Sequence, residues 1–281
     1  MRDVDCIAFL QEVLPRLGLR WKGFRNVRRQ VCRRLHRRLR ELGLDSLDAY
    51  GEKLEHDPAE WAVLDALCRV TISRFWRDRG VFEALRDDLL PELATLALDR
   101  GDTELRAWSA GCASGEEPWT LALLWQLELA PRFPDLELRV VATDMDARLL
   151  ERAREAVYET SSLKELPAEL RARAFEPFDG NEQLRADLRS GVELRLEDVR
   201  RGAPVDRGPF DLILCRNVAF TYFDEATQCD VAGRFADALV PRGALIVGGH
   251  EHLPAGAANR FAPEPAVRGA YRRVACSGET R

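Results

Sequence analysis

From about residue 100 the chain alternates between short apolar runs and longer amphipathic ones: "LRAWSA", "EPWTLALLWQLEL", "LELRVVATD", "ARLLERAREAVY", "GVELRLED", "FDLILCRN", "DEATQCDVAGRFADALV" and "GALIVGG". Strand then helix, repeated, returns the chain each time to the same end of a sheet. The fold predicted is therefore α/β, a mostly parallel sheet with helices on both faces. In such a sheet ligands sit in the crevice beyond the carboxyl ends of the strands. One segment, Tyr158 to Gly191, breaks the rhythm: it is polar, holds Pro167, Pro177 and "FDGNEQ", and is expected to form a small inserted subdomain or lid at about 159–192.

Residues 1 to about 90 read as helical throughout, which divides the chain into a helical domain at 1–90 and a sheet domain at 91–281. From Arg25 to Arg40 the sequence is "RNVRRQVCRRLHRRLR", without a single acid, in a chain whose formal net charge is −5. Val27, Val31, Leu35, Leu39 and Leu42 recur at spacings of three and four, giving one apolar stripe on an arginine-covered helix. Asp45 or Ser46, and then Asp57 followed by Pro58, are placed to start two further helices.

With 281 residues, 46% hydrophobic and 32% charged, the composition is that of a soluble globular protein with a sizeable core. The start "MRDVDCIAFLQEVL" carries acids where a signal peptide carries bases, and no apolar run approaches bilayer length, so a cytoplasmic protein without membrane insertion is expected. The seven cysteines, Cys6, Cys32, Cys68, Cys112, Cys215, Cys229 and Cys276, are odd in number, scattered and never spaced as CxxC. That pattern argues against a disulfide framework or zinc knuckle and fits a reducing compartment. His250 and His252 alternate as a metal pair would, but no third ligand stands near and no metal is expected. The ending "RRVACSGETR" reads as a frayed polar tail.

Each strand delivers a particular polar residue at its carboxyl end. The first runs into Gly111, Ser114 and Gly115 and then two acids, Glu116 and Glu117, in the first turn of a helix. The spacing is not the G-x-G-x-x-G dinucleotide fingerprint. Acids there would also repel a pyrophosphate that a helix N-terminus otherwise attracts. The ligand should carry positive charge and no phosphate, and S-adenosylmethionine meets both conditions. The second strand ends in Asp144, suited to vicinal ribose hydroxyls, and the third in Asp198, suited to an adenine amino group. The fourth ends in Arg216 and Asn217, with Tyr222 following. Taken singly, Glu116 and Glu117 read equally well as complements of a helix dipole and Asp144 as the cap of the next helix; at successive strand ends the functional reading is the stronger. Cys112 and Cys215 read as small packing residues.

"AWSAGCASGEEPWTLAL", "VVATDMDARLLERAREAVY", "SSLKELP", "FDLILCRNV" and "FDEATQ", with "CRRLHRRLRELGLDSLDAY" and "TISRFWRDRGVFEAL" upstream, together resemble the CheR-type methyltransferases over nearly the whole chain. The resemblance implies a Rossmann-like class I S-adenosylmethionine-dependent methyltransferase domain preceded by a small all-α domain. It implies methylation of glutamate side chains on chemotaxis receptors, with S-adenosylhomocysteine as product. Residue by residue, it implies that Glu117 holds the cofactor's ammonium end, Asp144 the ribose, and Asp198 with Val199 the adenine. Gly111 lies in the cofactor turn, Arg216 and Asn217 match the "CRN" contact pair, and Arg77 matches the active-site arginine. Ser73 stands where threonine is usual, Trp76 where phenylalanine is, and Asp198 where asparagine is. "CRNVAFTYF" has one residue more than the family pattern before Tyr222, the tyrosine placed beside the transferred methyl, and "GGHEHLP" departs from the usual G-H-S-E.

A glutamate acceptor is already ionised at neutral pH, so the chemistry needs orientation and desolvation rather than a general base. That accounts for a crevice with Arg77 and Tyr222 but no histidine. Arg28, Arg29, Arg33 and Arg37 would suit docking on an acidic helical protein surface such as a chemoreceptor's; the alternative is a solvated face. The overall acidity, and the lack of an Asp/Asn-Pro-Pro-Tyr/Phe motif, argue against nucleic acid as the partner. Two further readings stay open: a cofactor-binding signalling module with little catalysis, and a carboxyl methyltransferase with a non-receptor acceptor.

Overall fold

The computed structural model of the protein describes residues 3–265 and 267–274, so the tail from 275 onward, with Cys276, lies outside the described residues. The chain divides into two compact units, Met1–Thr71 with Thr221–Gln228, and Ile72–Phe220 with Cys229–Arg281. Two stretches thus fall on the other side of the boundary expected at residue 90. Residues 72–90 join the sheet unit, because Phe75, Trp76, Val81, Phe82, Leu85, Leu89 and Leu90 belong to its core. Residues 221–228 join the helical one.

The first unit holds α1 (Asp3–Val13), α2 (Trp21–Phe24), α3 (Arg28–Leu42), α4 (Leu47–His56) and α5 (Pro58–Cys68). On α3 the buried residues are Val31, Cys32, Leu35 and Leu39, the stripe expected from the spacing, with Val27 and Leu42 half-buried at its ends. Of the two candidate caps, Ser46 starts α4 by accepting the Ala49 N–H (3.1 Å), while Asp57 caps α5 with Pro58 at the first helical position. Glu60, 3% exposed, accepts two hydrogen bonds from Arg38 (2.9 and 2.7 Å) and one from the Tyr50 hydroxyl (2.8 Å). A buried carboxylate persists here because both its oxygens are paired.

Cys6 on α1 and Cys32 on α3 are joined in a disulfide across 26 residues. The sequence argues against a disulfide framework and does not predict this bond: helix packing brings together two positions that sequence spacing leaves unrelated. The returning segment is stitched to the α1–α2 connection, with the Arg20 N–H on the Tyr222 carbonyl (2.8 Å) and the Asp224 N–H on that of Gly18 (2.9 Å). A Cβ at position 23 would lie 2.3 Å from the Thr221 carbonyl oxygen, so only glycine permits this approach.

The second unit begins with α6 (Arg79–Ala84) and α7 (Leu90–Asp99), followed by β1 (Glu104–Ala110), α8 (Glu116–Leu124), β2 (Glu137–Asp144) and α9 (Ala147–Glu155). Next come β3 (Val157–Tyr158), α10 (Ala168–Ala174), β4 (Phe175–Phe178), β5 (Asn181–Leu184), β6 (Val192–Leu196) and β7 (Phe210–Cys215). The chain closes with α11 (Ala219–Tyr222), α12 (Glu225–Ala238), β8 (Leu239–Val247), β9 (Phe261–Pro263) and β10 (Ala270–Arg273). The main sheet has seven strands in the order β6-β2-β1-β7-β8-β10-β9. Its first five strands are parallel, and β10 and β9 close the far edge antiparallel. Strand order reverses between β1 and β7, so the crevice of a doubly wound sheet opens at their carboxyl ends.

The interrupting segment forms its own three-stranded antiparallel sheet, β3-β5-β4. Phe75 sits edge-on to Tyr158 (4.8 Å) and Phe175 (5.2 Å), fastening this small sheet to the stretch that precedes α6. Strand β7 is buried at all six positions. Its one charged residue, Asp211, accepts the Arg106 N–H at 2.8 Å and pairs with Arg100. Among the described residues no helix is long and apolar enough to cross a membrane.

Candidate active site

At the end of β1 the backbone turns through three positive-φ residues, Gly111 (79°), Ala113 (49°) and Gly115 (89°). A Cβ on Gly111 would lie 2.8 Å from a Val218 methyl, and one on Gly115 would lie 2.8 Å from the Trp119 indole nitrogen. Glycine is needed at both for conformation and for space. Asp144 fastens this turn: its Oδ2 accepts the Ala113 N–H and its Oδ1 the Asp146 N–H, both at 2.9 Å. The cap of α9 is Asp146, which accepts the Arg148 N–H at 3.0 Å. Asp144 is therefore not the helix cap, and its carboxylate stands between the glycine turn and the end of β2.

The two neighbouring acids have separate surroundings. Glu116 is 2% exposed, and burial pushes its carboxyl up, against the Ser73 and Ser114 hydroxyls that hydrogen-bond it. Its Oε2 has no partner among the described residues. Glu117 accepts from the Ser109 hydroxyl (2.7 Å) and from Arg216 Nη1 (3.1 Å). The Arg216 side chain is 3% exposed and packs 5.1 Å from the Phe82 ring centre. Its Nη2 donates to the Arg77 carbonyl (2.6 Å) and to Asp78 (2.7 Å). An arginine following a buried strand needs such partners.

Arg77 is half-exposed and its guanidinium donates to the Ile72 carbonyl at 2.6 Å. Asn217 has φ 59°; its N–H and that of Gly248 both donate to Glu251 Oε2, at 2.7 and 2.6 Å. The Asn217 Oδ1 is buried with no partner among the described residues. Asp198 is gripped by Arg200, from Nε (3.1 Å) and Nη2 (2.9 Å). Burial pushes that carboxyl up, but the Arg200 guanidinium and N–H outweigh it and hold it below the usual value. Val199 beside it is buried.

Ser73, Arg77, Glu117 and Arg216 thus gather at the ends of β1 and β7, Asp144 joins them through the glycine turn, and Asn217 is tied to the end of β8. Asp198 keeps a partner that its sequence position does not announce. Tyr222 lies in the helical unit, its ring 5.1 Å from Phe24, and the extra residue before it falls within the single turn of α11. The arginines of α3 divide: Arg29 and Arg33 are exposed without ion partners among the described residues, while Arg28 meets Asp3 (3.5 Å) and Arg37 meets Glu41 (3.7 Å). His250 is paired with Arg268 at 3.2 Å. Among the described residues no three His, Cys, Asp or Glu side chains are grouped to hold a metal. Asp78 and Glu251 are the residues that spacing does not single out, although both stand inside stretches, "SRFWRD" and "GGHEHLP", that the resemblance marks.

A tight turn that only glycine permits at the end of β1, an acid at the end of β2 and a buried amide oxygen on Asn217 with no partner among the described residues fit a nucleoside carrying a positively charged tail. Fold and site define the protein as a class I S-adenosylmethionine-dependent methyltransferase. The chain belongs to the CheR methyltransferase family: residues 71–269 match its SAM binding domain and residues 26–67 its all-alpha domain. It is 34% identical to a probable chemotaxis protein methyltransferase of Rhizobium etli, over 82% of this chain and 87% of that one. It is 36% identical to the chemotaxis protein methyltransferase of Salmonella typhimurium, over 80% of this chain and 76% of that one. With that of Escherichia coli it shares 33% identity over 80% of this chain and 77% of the other.

Proposed function

We propose that this protein acts in the cytoplasm and esterifies glutamate side chains on a protein acceptor, with chemoreceptors as the acceptor class. The observation that carries the reading is the gathering of Glu117, Arg216 and the Arg77 backbone beside the Gly111 turn. Bound S-adenosylmethionine would supply a methyl on a positively charged sulfur, open to displacement by an ionised carboxylate without a general base. In this reading the Gly111 turn, packed on Val218, sets the backbone path along the nucleoside, Asp144 accepts from the ribose, and Asp198 and Val199 border the adenine. Glu117 faces the ammonium group, its charge shared with Arg216, and Asn217 completes the wall. Ser73 and Arg77 face the methionyl part, and Tyr222 orients the acceptor. Exclusion of water around opposite charges strengthens their attraction, and the pairing of the partly buried Glu117 with the buried Arg216 supports such a site.

The exposed Arg29 and Arg33, with Arg28 and Arg37 beside them, favour an acidic helical surface as the docking partner. The test is transfer of labelled methyl from S-adenosylmethionine to a purified chemoreceptor cytoplasmic fragment. Base-labile label that disappears when the acceptor glutamates are changed to alanine is expected, and Arg29→Glu with Arg33→Glu should raise KM for the fragment while leaving S-adenosylhomocysteine affinity unchanged. Absence of any base-labile label, with the product still bound, would overturn the chemoreceptor as acceptor and leave a non-receptor carboxylate or a cofactor-binding signalling role.

A further inference from the structure

The strap from Ile72 to Asp78 carries Ser73 and Arg77, and its conformation is one that its own sequence disfavours. Trp76 and Asp78, the two residues flanking Arg77, have φ of 59° and 62°. A bulky aromatic in the left-handed region is rare and persists only where the surroundings hold it. Trp76 is held by its stacking on Phe82 (5.5 Å) and by its backbone N–H on the Thr120 hydroxyl (3.4 Å). Asp78 is placed directly before α6, where an aspartate ordinarily caps the helix by accepting one of its N–H groups. It makes no such cap here. Its carboxylate turns instead to Arg216 (2.7 Å), whose same Nη2 also holds the Arg77 carbonyl (2.6 Å).

The Arg216 guanidinium is occupied by protein on both terminal nitrogens, by Glu117 on one and by the strap on the other. We infer that Asp78 is a positioning residue: its ion pair with Arg216 latches the strap so that Arg77 is presented to the cofactor site. Arg216 then acts through the strap and through Glu117, while its buried Nε has no partner among the described residues. The pair joins a half-exposed carboxylate (43%) to a buried guanidinium (3%), so one end of the latch is anchored and the other is open to exchange with water. The inference rests on the assignment of Arg77 to the cofactor site.

Asp78→Asn and Asp78→Gly separate the charge from the backbone, because Asn and Gly are the residues most at ease at positive φ. Titration calorimetry with S-adenosylhomocysteine and steady-state kinetics with S-adenosylmethionine are the readouts. Both variants should weaken product binding and raise KM by about tenfold, the effect of losing one charge-assisted hydrogen bond, with kcat at saturation little changed. Asp78→Glu should recover most of the loss. Retention of wild-type affinity and KM in both the Asn and Gly variants would overturn the latch while leaving the Arg77 assignment intact, as would a fall in melting temperature without a change in KM. Failure of the wild type itself to bind the product would remove the cofactor reading and the latch together.

Discussion

Asp144→Asn isolates what the acid at the end of β2 contributes. The carboxylate uses Oδ2 on the Ala113 N–H and Oδ1 on the Asp146 N–H, both at 2.9 Å. An amide keeps one acceptor and presents N–H₂ to whichever N–H the other oxygen served. One charge-assisted bond is lost and two donors face each other, a cost of roughly 1–2 kcal/mol of stability. For a unit of this size that corresponds to a melting temperature lower by about 2–8 °C. Ligand binding loses more, because the same change removes the charge behind the expected bonds to the ribose hydroxyls, each worth about 1.5–3 kcal/mol. Affinity for S-adenosylhomocysteine should fall about 10- to 100-fold, since each 1.4 kcal/mol or so is a factor of ten. Calorimetric titration at a temperature well below both melting points separates the two effects. Affinity within twofold of wild type, whatever the melting temperature, would refute the ribose assignment.

Glu60→Gln should destabilise the helical unit by about 2–3 kcal/mol at neutral pH, below the ~3–5 kcal/mol of a fully buried pair, because Arg38 remains 24% exposed. Arg38, reinforced by Tyr50, holds the Glu60 carboxyl below its ordinary value despite burial. The stabilisation is therefore present above the unfolded-state pKa and is lost as pH falls through the lower folded value. Melting curves of wild type and variant should converge under acid conditions; a gap independent of pH would contradict the pairing. Gly111→Ala places a Cβ 2.8 Å from Val218 at φ 79° and should abolish measurable product binding, and binding close to wild type would show that the turn does not shape the site.

The sheet was legible because a parallel strand buried on both faces must be a nearly continuous apolar run, as "FDLILC" is, and because the residue ending such a run has nowhere to point but the crevice. Gly111, Asp144 and Arg216, which stand at or directly after the ends of β1, β2 and β7, were singled out by that reasoning. Their partners were not, since the pairs Arg216 with Asp78 and Asn217 with Glu251 join residues 138 and 34 positions apart. Asp198 was read as open to a ligand, although its neighbour but one, Arg200, encloses it. The Cys6–Cys32 bond was hidden for a related reason: on helices, proximity follows from packing angles that spacing does not encode. The basic helix was the reverse case, its buried stripe legible from periodicity alone.

The chain passes between its two units three times, after Thr71, after Phe220 and after Gln228, and the third passage falls inside α12. The helical unit is therefore not a detachable cassette. Truncation at residue 71 would leave behind Thr221–Gln228, the segment whose backbone is bonded to Gly18 and Arg20, and an exchange of N-terminal regions between relatives would separate that segment from the helices it was fitted to. Swaps of acceptor specificity within this architecture should succeed only when the first turn of α12 and Tyr222 travel with the N-terminal helices, so two distant stretches of sequence are bound to be inherited together.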